Sequence, residues 1–153
     1  MATKTTSREE ITEIASRLRL AIARMARRLR QDALDAEGAP LSPTLTAALA
    51  TVEARGPLTP SELAARERVQ RPTATRIVAR LAELGLVERT ADPSDGRASL
   101  ISVTRDGRDL LRRLRTRKNA YLARRLRELD PADAAALERA LPALERMLDE
   151  EQL

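Results

Sequence analysis

Apolar residues fall at every third or fourth position along most of this chain, and the rhythm turns to alternation only between Leu86 and Val103. Ile11, Ile14, Leu18, Ile22, Met25 and Leu29 make one helical stripe. Ser7 and Glu10 stand ahead of it at the spacing of a capping box, in which each side chain takes the other's orphan backbone N–H. That helix is expected to reach about Leu34 and to break at Glu37-Gly38-Ala39-Pro40. Ser42-Pro43 supplies a cap and a first-turn proline for a second helix through roughly Ala54. Arg55-Gly56-Pro57 turns the chain back, and Leu58 is placed to lend a short third strand to a sheet further on.

Two short helical patterns follow. Thr59, Pro60 and Glu62 repeat the capping box with proline at the first helical position. Leu63 and Ala64 face inward, and the helix fades near Arg66 to Arg68. Val69 begins a turn, and Pro72 restarts a helix, since proline is tolerated only in a first turn. Ile77, Val78, Leu81 and Leu84 give that helix its buried stripe, and its other face carries Arg71, Thr73, Thr75, Arg76 and Arg80. Gly85 ends it at the position where a C′ glycine is common.

Leu86–Thr90 and Ala98–Val103 read as strands joined by Asp92-Pro93-Ser94-Asp95-Gly96-Arg97, a run dense in turn formers. Helix, turn, helix and hairpin in this order predict a winged helix-turn-helix, with Gly96 at the hairpin tip and Arg97 projecting from it. Taken alone, the hairpin is an ordinary solvent turn carrying an arginine. Beside a helix-turn-helix, the DNA reading is preferred.

Beyond the hairpin, Thr104 caps a long helix marked by Leu110, Leu111, Leu114, Tyr121, Leu122, Leu126 and Leu129. Asp130-Pro131 stops it and starts the last helix, which carries Leu137, Leu141, Leu144 and Leu148 on one face. Pro142 lies inside that pattern and is expected to kink or divide it. The terminal helices hold more apolar surface than a small winged domain can cover. Pairing with a second copy is therefore expected over folding back on one domain. The run from Arg105 through Arg117 and Lys118 reads as a solvated face, partly paired with Asp106 and Asp109.

Composition narrows the function. At 153 residues the chain is one domain's worth, and a net charge of +5 points toward an anionic partner. There is no cysteine for a disulfide, a thiol switch or a sulfur-based metal site, and no histidine to act as the usual general base. Neither a P-loop nor a dinucleotide-binding glycine motif is present, and Asp92 with Asp95 lacks the spacing of a calcium loop. No catalytic residue, metal site or cofactor is expected. Tyr121 is the sole aromatic residue, so the chain has no platform on which unpaired bases stack, whereas duplex DNA needs none. No apolar run approaches membrane-spanning length and no charged-then-apolar leader opens the chain, so a cytoplasmic protein without a membrane partner is expected.

This chain resembles the MarR family of bacterial transcription regulators. The likeness is carried by Leu63-Ala64, the run from Val69 to Leu81, Leu84-Gly85-Leu86-Val87-Glu88-Arg89, the wing from Asp92 to Arg97, and Thr104 with Gly107. The wing motif Asp-x-Arg, here Asp95-Gly96-Arg97, is among the more specific of these signals. Long helices flank the central domain as that family requires, so the resemblance covers nearly the whole chain. Pro72 departs from the pattern, standing where relatives usually carry a small polar residue, and it removes a backbone or hydroxyl contact to DNA.

The resemblance implies a mainly α fold with a small β-wing: a winged helix-turn-helix with N- and C-terminal dimerisation helices. It implies a single domain over residues 1–153, with 7–35 and 104–150 as dimerisation helices and 42–103 as the DNA-binding lobe; residues 1–6, polar and unpatterned, are expected to be disordered. The expected function is a homodimeric, ligand-responsive repressor on a pseudo-palindromic operator of double-stranded DNA. Arg71, Thr73, Thr75 and Arg76 are expected at base edges or nearby phosphates of the major groove, Arg80 at a phosphate and Arg97 in the minor groove. Asp95 is expected to orient an arginine, with Gly96 shaping the turn. A small-molecule effector is expected in a cleft lined by Leu, Ile, Ala and Met, where Arg24, Arg27 and Arg28 are either anion anchors or surface residues of the first helix. Two readings from other classes remain: an architectural DNA-binding protein of low sequence preference, and a helical protein-interaction module.

Overall fold

The structure, a computed structural model, describes residues 7–37, 41–93 and 99–149. Six helices and one hairpin follow in the order α1 (Arg8–Glu37), α2 (Pro43–Arg55), α3 (Pro60–Arg66), α4 (Arg71–Glu83), β1 (Val87–Ala91), β2 (Ser99–Val103), α5 (Arg105–Arg127) and α6 (Pro131–Asp149). The fold is mainly helical with a small β-wing, as expected. The expectations for residues 1–6 and for Asp95, Gly96 and Arg97 lie outside the described residues.

The helix starts follow the caps in the sequence. Ser7 Oγ accepts the Glu10 N–H at 3.2 Å while Glu10 Oε2 accepts the Ser7 N–H at 2.7 Å. Ser42 Oγ accepts from the Leu45 N–H at 3.3 Å, and Thr104 Oγ1 from the Gly107 N–H at 3.1 Å. The first helix runs three residues past the expected end, to Glu37. Of the two outcomes expected at Pro142, a kink or a division, the division does not occur, since α6 runs through it. A proline there deprives the Glu138 carbonyl of its usual donor, but both residues are exposed and water can donate instead.

β1 and β2 pair antiparallel, with Val87 opposite Val103 and Arg89 opposite Ile101. Leu58 adds a single bridge rather than a full strand, exchanging backbone bonds with Ile101 at 3.2 and 2.8 Å. Leu49 and Val52 of α2, Leu63 of α3, Val78 and Leu81 of α4, Ile101 of β2 and Leu114 of α5 are all almost completely buried. Ala33 of α1 joins the same core. The helix-turn-helix, the wing and the first half of α5 therefore share one aliphatic core, and among the described residues no polar or charged residue is buried in it.

α1 packs along α5, whereas α6 has little packed against it. Large apolar side chains are exposed on these terminal helices: Ile11, Ile14 and Ile22 of α1, and Leu137, Leu141 and Leu148 of α6, the last at 75%.

Candidate nucleic-acid interface

The helix-turn-helix is built by two matching helix ends. α3 opens with a full capping box, in which Thr59 Oγ1 accepts the Glu62 N–H at 3.2 Å and Glu62 Oε2 accepts the Thr59 N–H at 2.7 Å. The Thr59 N–H, together with the Thr59 hydroxyl that donates to the same Oε2 at 2.9 Å, holds the Glu62 carboxyl below the usual carboxylate range, and the Arg66 guanidinium adds to the effect. α3 ends in a Schellman motif: the Val69 N–H bonds to the Ala64 carbonyl at 3.0 Å and the Arg68 N–H to the Ala65 carbonyl at 3.3 Å. The residue at C′ is Arg68, whose φ is 53°. A side chain in that left-handed conformation costs about 1–2 kcal/mol, which is why glycine usually holds the position. The sequence places a turn here, between the fading of the helix at Arg66 to Arg68 and Val69, but without a glycine it does not mark the left-handed residue.

α4 ends the same way, with glycine in place. The Leu86 N–H reaches the Leu81 carbonyl and the Gly85 N–H reaches the Ala82 carbonyl, both at 2.9 Å, with Gly85 at a φ of 69°. Leu81 and Leu86, the apolar pair that accompanies such a motif, are both buried. The start of α5 is tied to this end. Thr104 donates its backbone N–H to the Leu86 carbonyl at 3.0 Å and its hydroxyl to the Gly85 carbonyl at 2.6 Å. Gly107, in the first turn of α5, lies so close that a Cβ there would meet the Leu86 carbonyl oxygen at 2.3 Å. Arg108 Nη1 donates to the Val103 carbonyl at 2.9 Å, closing the knot from the wing side. The ends of α4, the wing and α5 are thereby fixed to one another.

α4 buries Ala74, Ile77, Val78 and Leu81 and turns its other residues outward. Arg71, Thr75, Arg76 and Arg80 are exposed, and Thr73 is half-buried. Gln70 caps the helix without a side-chain bond, and Pro72 has no N–H, so no side chain occupies the positive end of the helix. The Thr75 hydroxyl donates back to the Arg71 carbonyl at 3.0 Å, leaving its oxygen as an acceptor only. Arg80 pairs with Glu83 at 3.0 Å, but both side chains are more than half exposed, so the pair yields readily to a phosphate.

A separate cavity of about 300 Å3 lies where α1, α2 and α5 meet. Ala26, Leu29, Ala33, Ala47, Ala50 and Leu114 give it an apolar wall, and Arg30 and Lys118 are its only cations. Of the two readings of Arg24, Arg27 and Arg28, anion anchors or surface residues, the structure agrees with the second, because they are exposed and line no part of the cavity. Arg30 follows Ala26 by four residues and precedes Ala33 by three, which sets it at the cavity's edge although it too is exposed. No group of three or more acidic, histidine or cysteine side chains able to hold a metal occurs among the described residues. No helix among them is long and apolar enough to cross a membrane.

Two helices joined by a tight turn, with an antiparallel hairpin directly after the second, define a winged helix-turn-helix protein. The MarR family profile matches residues 41–99. An HTH-type transcriptional regulator of Mycobacterium tuberculosis is 37% identical over 137 residues, spanning 90% of this chain and 94% of the relative. The crystal structure of a transcriptional regulator protein from Pseudomonas aeruginosa superposes with a TM-score of 0.80 at 29% identity, covering 93% of this chain and 97% of the other. Staphylococcus aureus MepR, solved in a mutant form bound to an oligodeoxyribonucleotide, shares the fold with a TM-score of 0.68 at 18% identity, covering 88% and 97%. The chain belongs to the MarR family of transcriptional regulators, which are DNA-binding proteins and not enzymes.

Proposed function

We propose that this regulator acts in the cytoplasm as a homodimer that binds a pseudo-palindromic operator and represses transcription until a small ligand releases it. The observation that carries this reading is the two-sidedness of α4, whose inner face is buried while Arg71, Thr75 and Arg76 stand exposed beside an N-terminus with no side-chain cap. A major groove accepts such a helix, and these side chains supply donors for base edges and phosphates. Thr73 contributes from the same first turn, and Arg80 meets a phosphate once it leaves Glu83. MepR, which has this fold, was solved on an oligodeoxyribonucleotide. Arg97 is assigned to the minor groove on its sequence alone, with Asp95 orienting an arginine and Gly96 shaping the turn.

Residues 42–103 form the DNA-binding lobe in this proposal, and 7–35 with 104–150 form the dimer. The dimer accounts for the uncovered apolar faces of α1 and α6. The effector is an apolar molecule with an anionic end, seated in the cavity between α1, α2 and α5 with its charge toward Arg30 and Lys118. Selection of duplexes from a random pool, followed by anisotropy titration, tests the whole reading. It expects a palindromic preferred site bound far more tightly than random duplex. Equal affinity for every sequence identifies an architectural protein instead, and no salt-sensitive affinity for duplex identifies a protein-interaction module.

A further inference from the structure

Between the C-terminal ends of α2 and α3 lies an open groove of about 600 Å3, whose walls carry Arg55, Arg66 and Arg68 beside Thr51. Among the described residues none of these three arginines has an ion pair within 4.0 Å. Two acids lie near Arg66 and Arg68 in the chain: Glu62, one helical turn before Arg66 and engaged by Thr59, and Glu67, between the two arginines. The Glu67 carboxylate is bound from α2, where Thr51 Oγ1 donates to Glu67 Oε1 at 2.5 Å in a partly buried bond. Arg68 adds a second oddity, since it occupies a left-handed position that glycine would fill without strain. The molecule thus concentrates positive charge in a groove, engages the neighbouring acid through Thr51 on the groove wall rather than in an ion pair with the arginines, and keeps an arginine where a smaller residue would fold more easily.

We infer that this groove is a phosphate site, and that its phosphate belongs to the DNA backbone alongside the recognition helix. Guanidinium groups present flat forks of N–H donors that match phosphate oxygens, and several of them around one groove suit a single phosphate with its water. DNA is the indicated source because Arg68 precedes Arg71, the first residue of α4, by only three positions, which places the groove next to the start of that helix. A free phosphate-bearing molecule offers the same oxygens, and the test separates the two sources. The inference rests on the DNA-binding reading above.

The test is anisotropy of labelled duplex with the intact chain, on the selected site and on random duplex, over a range of salt. The combined substitution Arg55→Ala, Arg66→Ala and Arg68→Ala should weaken both duplexes about tenfold or more. It should also flatten the salt slope by about one phosphate contact per protomer. The same three positions changed to lysine should restore most of that slope. Arg68→Gly is the more telling variant, because it should raise the urea midpoint while lowering DNA affinity, a pair of opposite signs that a purely structural role cannot produce. Thr51→Val should weaken DNA binding by freeing Glu67, and adding Glu67→Gln should restore it. Unchanged affinity and slope in the triple alanine variant, when the native protein binds duplex, overturn the groove assignment alone. If the native protein binds no duplex at all, the DNA reading falls and takes the groove with it. Saturable binding of pyrophosphate that the triple variant abolishes, with DNA affinity unmoved, overturns DNA as the source.

Discussion

Gly107→Ala sets two well-measured effects against each other. Gly107 is in the first turn of α5, and by helix propensity alone alanine there is favoured by about 0.8–1 kcal/mol. The added methyl, however, would stand 2.3 Å from the Leu86 carbonyl oxygen and 2.8 Å from Val103 Cγ2. Opening 2.3 Å to the 3.0 Å at which real Cβ contacts begin moves α5 by at least 0.7 Å relative to a backbone carbonyl that cannot rotate away. That shift stretches both bonds from Thr104 to the Gly85 and Leu86 carbonyls, each with a net value of about 0.5–1.5 kcal/mol. Overpacking adds a further cost of about 1–3 kcal/mol. The clash wins, and a net loss of about 2 kcal/mol is expected. Urea unfolding at fixed protein concentration reads this directly, and duplex anisotropy should show weaker binding as well, because Leu86 is also the residue that closes α4. A Gly107→Ala protein as stable as the native one, or more so, would refute the reasoning and mean that α5 is free to slide over the wing.

Three further outcomes are expected. Arg76→Ala should weaken the selected site by about 1–3 kcal/mol and random duplex by less, as anisotropy on both will show; equal losses reassign Arg76 to the backbone. Light scattering of the native chain should give twice its mass, and Leu141→Glu combined with Leu148→Glu should halve it; a native protein that scatters as a monomer removes the dimer proposal. Glu62, whose carboxyl is held low by its bonds to Thr59, contributes stability that is present at neutral pH and lost as acid protonates it. Glu62→Gln should therefore be less stable than the native protein near neutrality and converge with it in acid, and urea midpoints that stay parallel across the pH range contradict this.

What the sequence reveals here depends on whether the physics is local. Caps are written in neighbouring residues, so Ser7, Ser42, Thr59 and Thr104 mark their helices within a residue of the observed starts. Gly85 declares the end of α4 for the same reason. The end of α3 was legible where its helical pattern fades at Arg66 to Arg68, but the form of the turn was not, because its left-handed residue is an arginine. At Pro142 the sequence left a kink or a division open, and the division is absent because a missing N–H divides a helix only where water or packing fails to compensate. The outward face of α4 was legible from periodicity, and Arg71, Thr75, Arg76 and Arg80 are exposed. The cavity cations were not, because which arginine of α1 borders the cavity depends on where α2 and α5 lie against it. The groove of Arg55, Arg66 and Arg68 joins the ends of two helices and has no signature along the chain.

Tyr121 gives this protein an unusual optical property. It is the only aromatic side chain in the sequence, 8% exposed, with the guanidinium carbons of Arg124 and Arg125 each 5.5 Å from the ring centre. All near-ultraviolet dichroism and all intrinsic emission of the chain therefore originate at a single point on α5. The helix-turn-helix and the wing are dark. When duplex DNA is added, any change in the protein's own signal reports an event at that distant ring, conveyed along the helix whose first turn is knotted to the wing. The chain carries its own single-site probe of communication between its two ends, and no label is needed to read it.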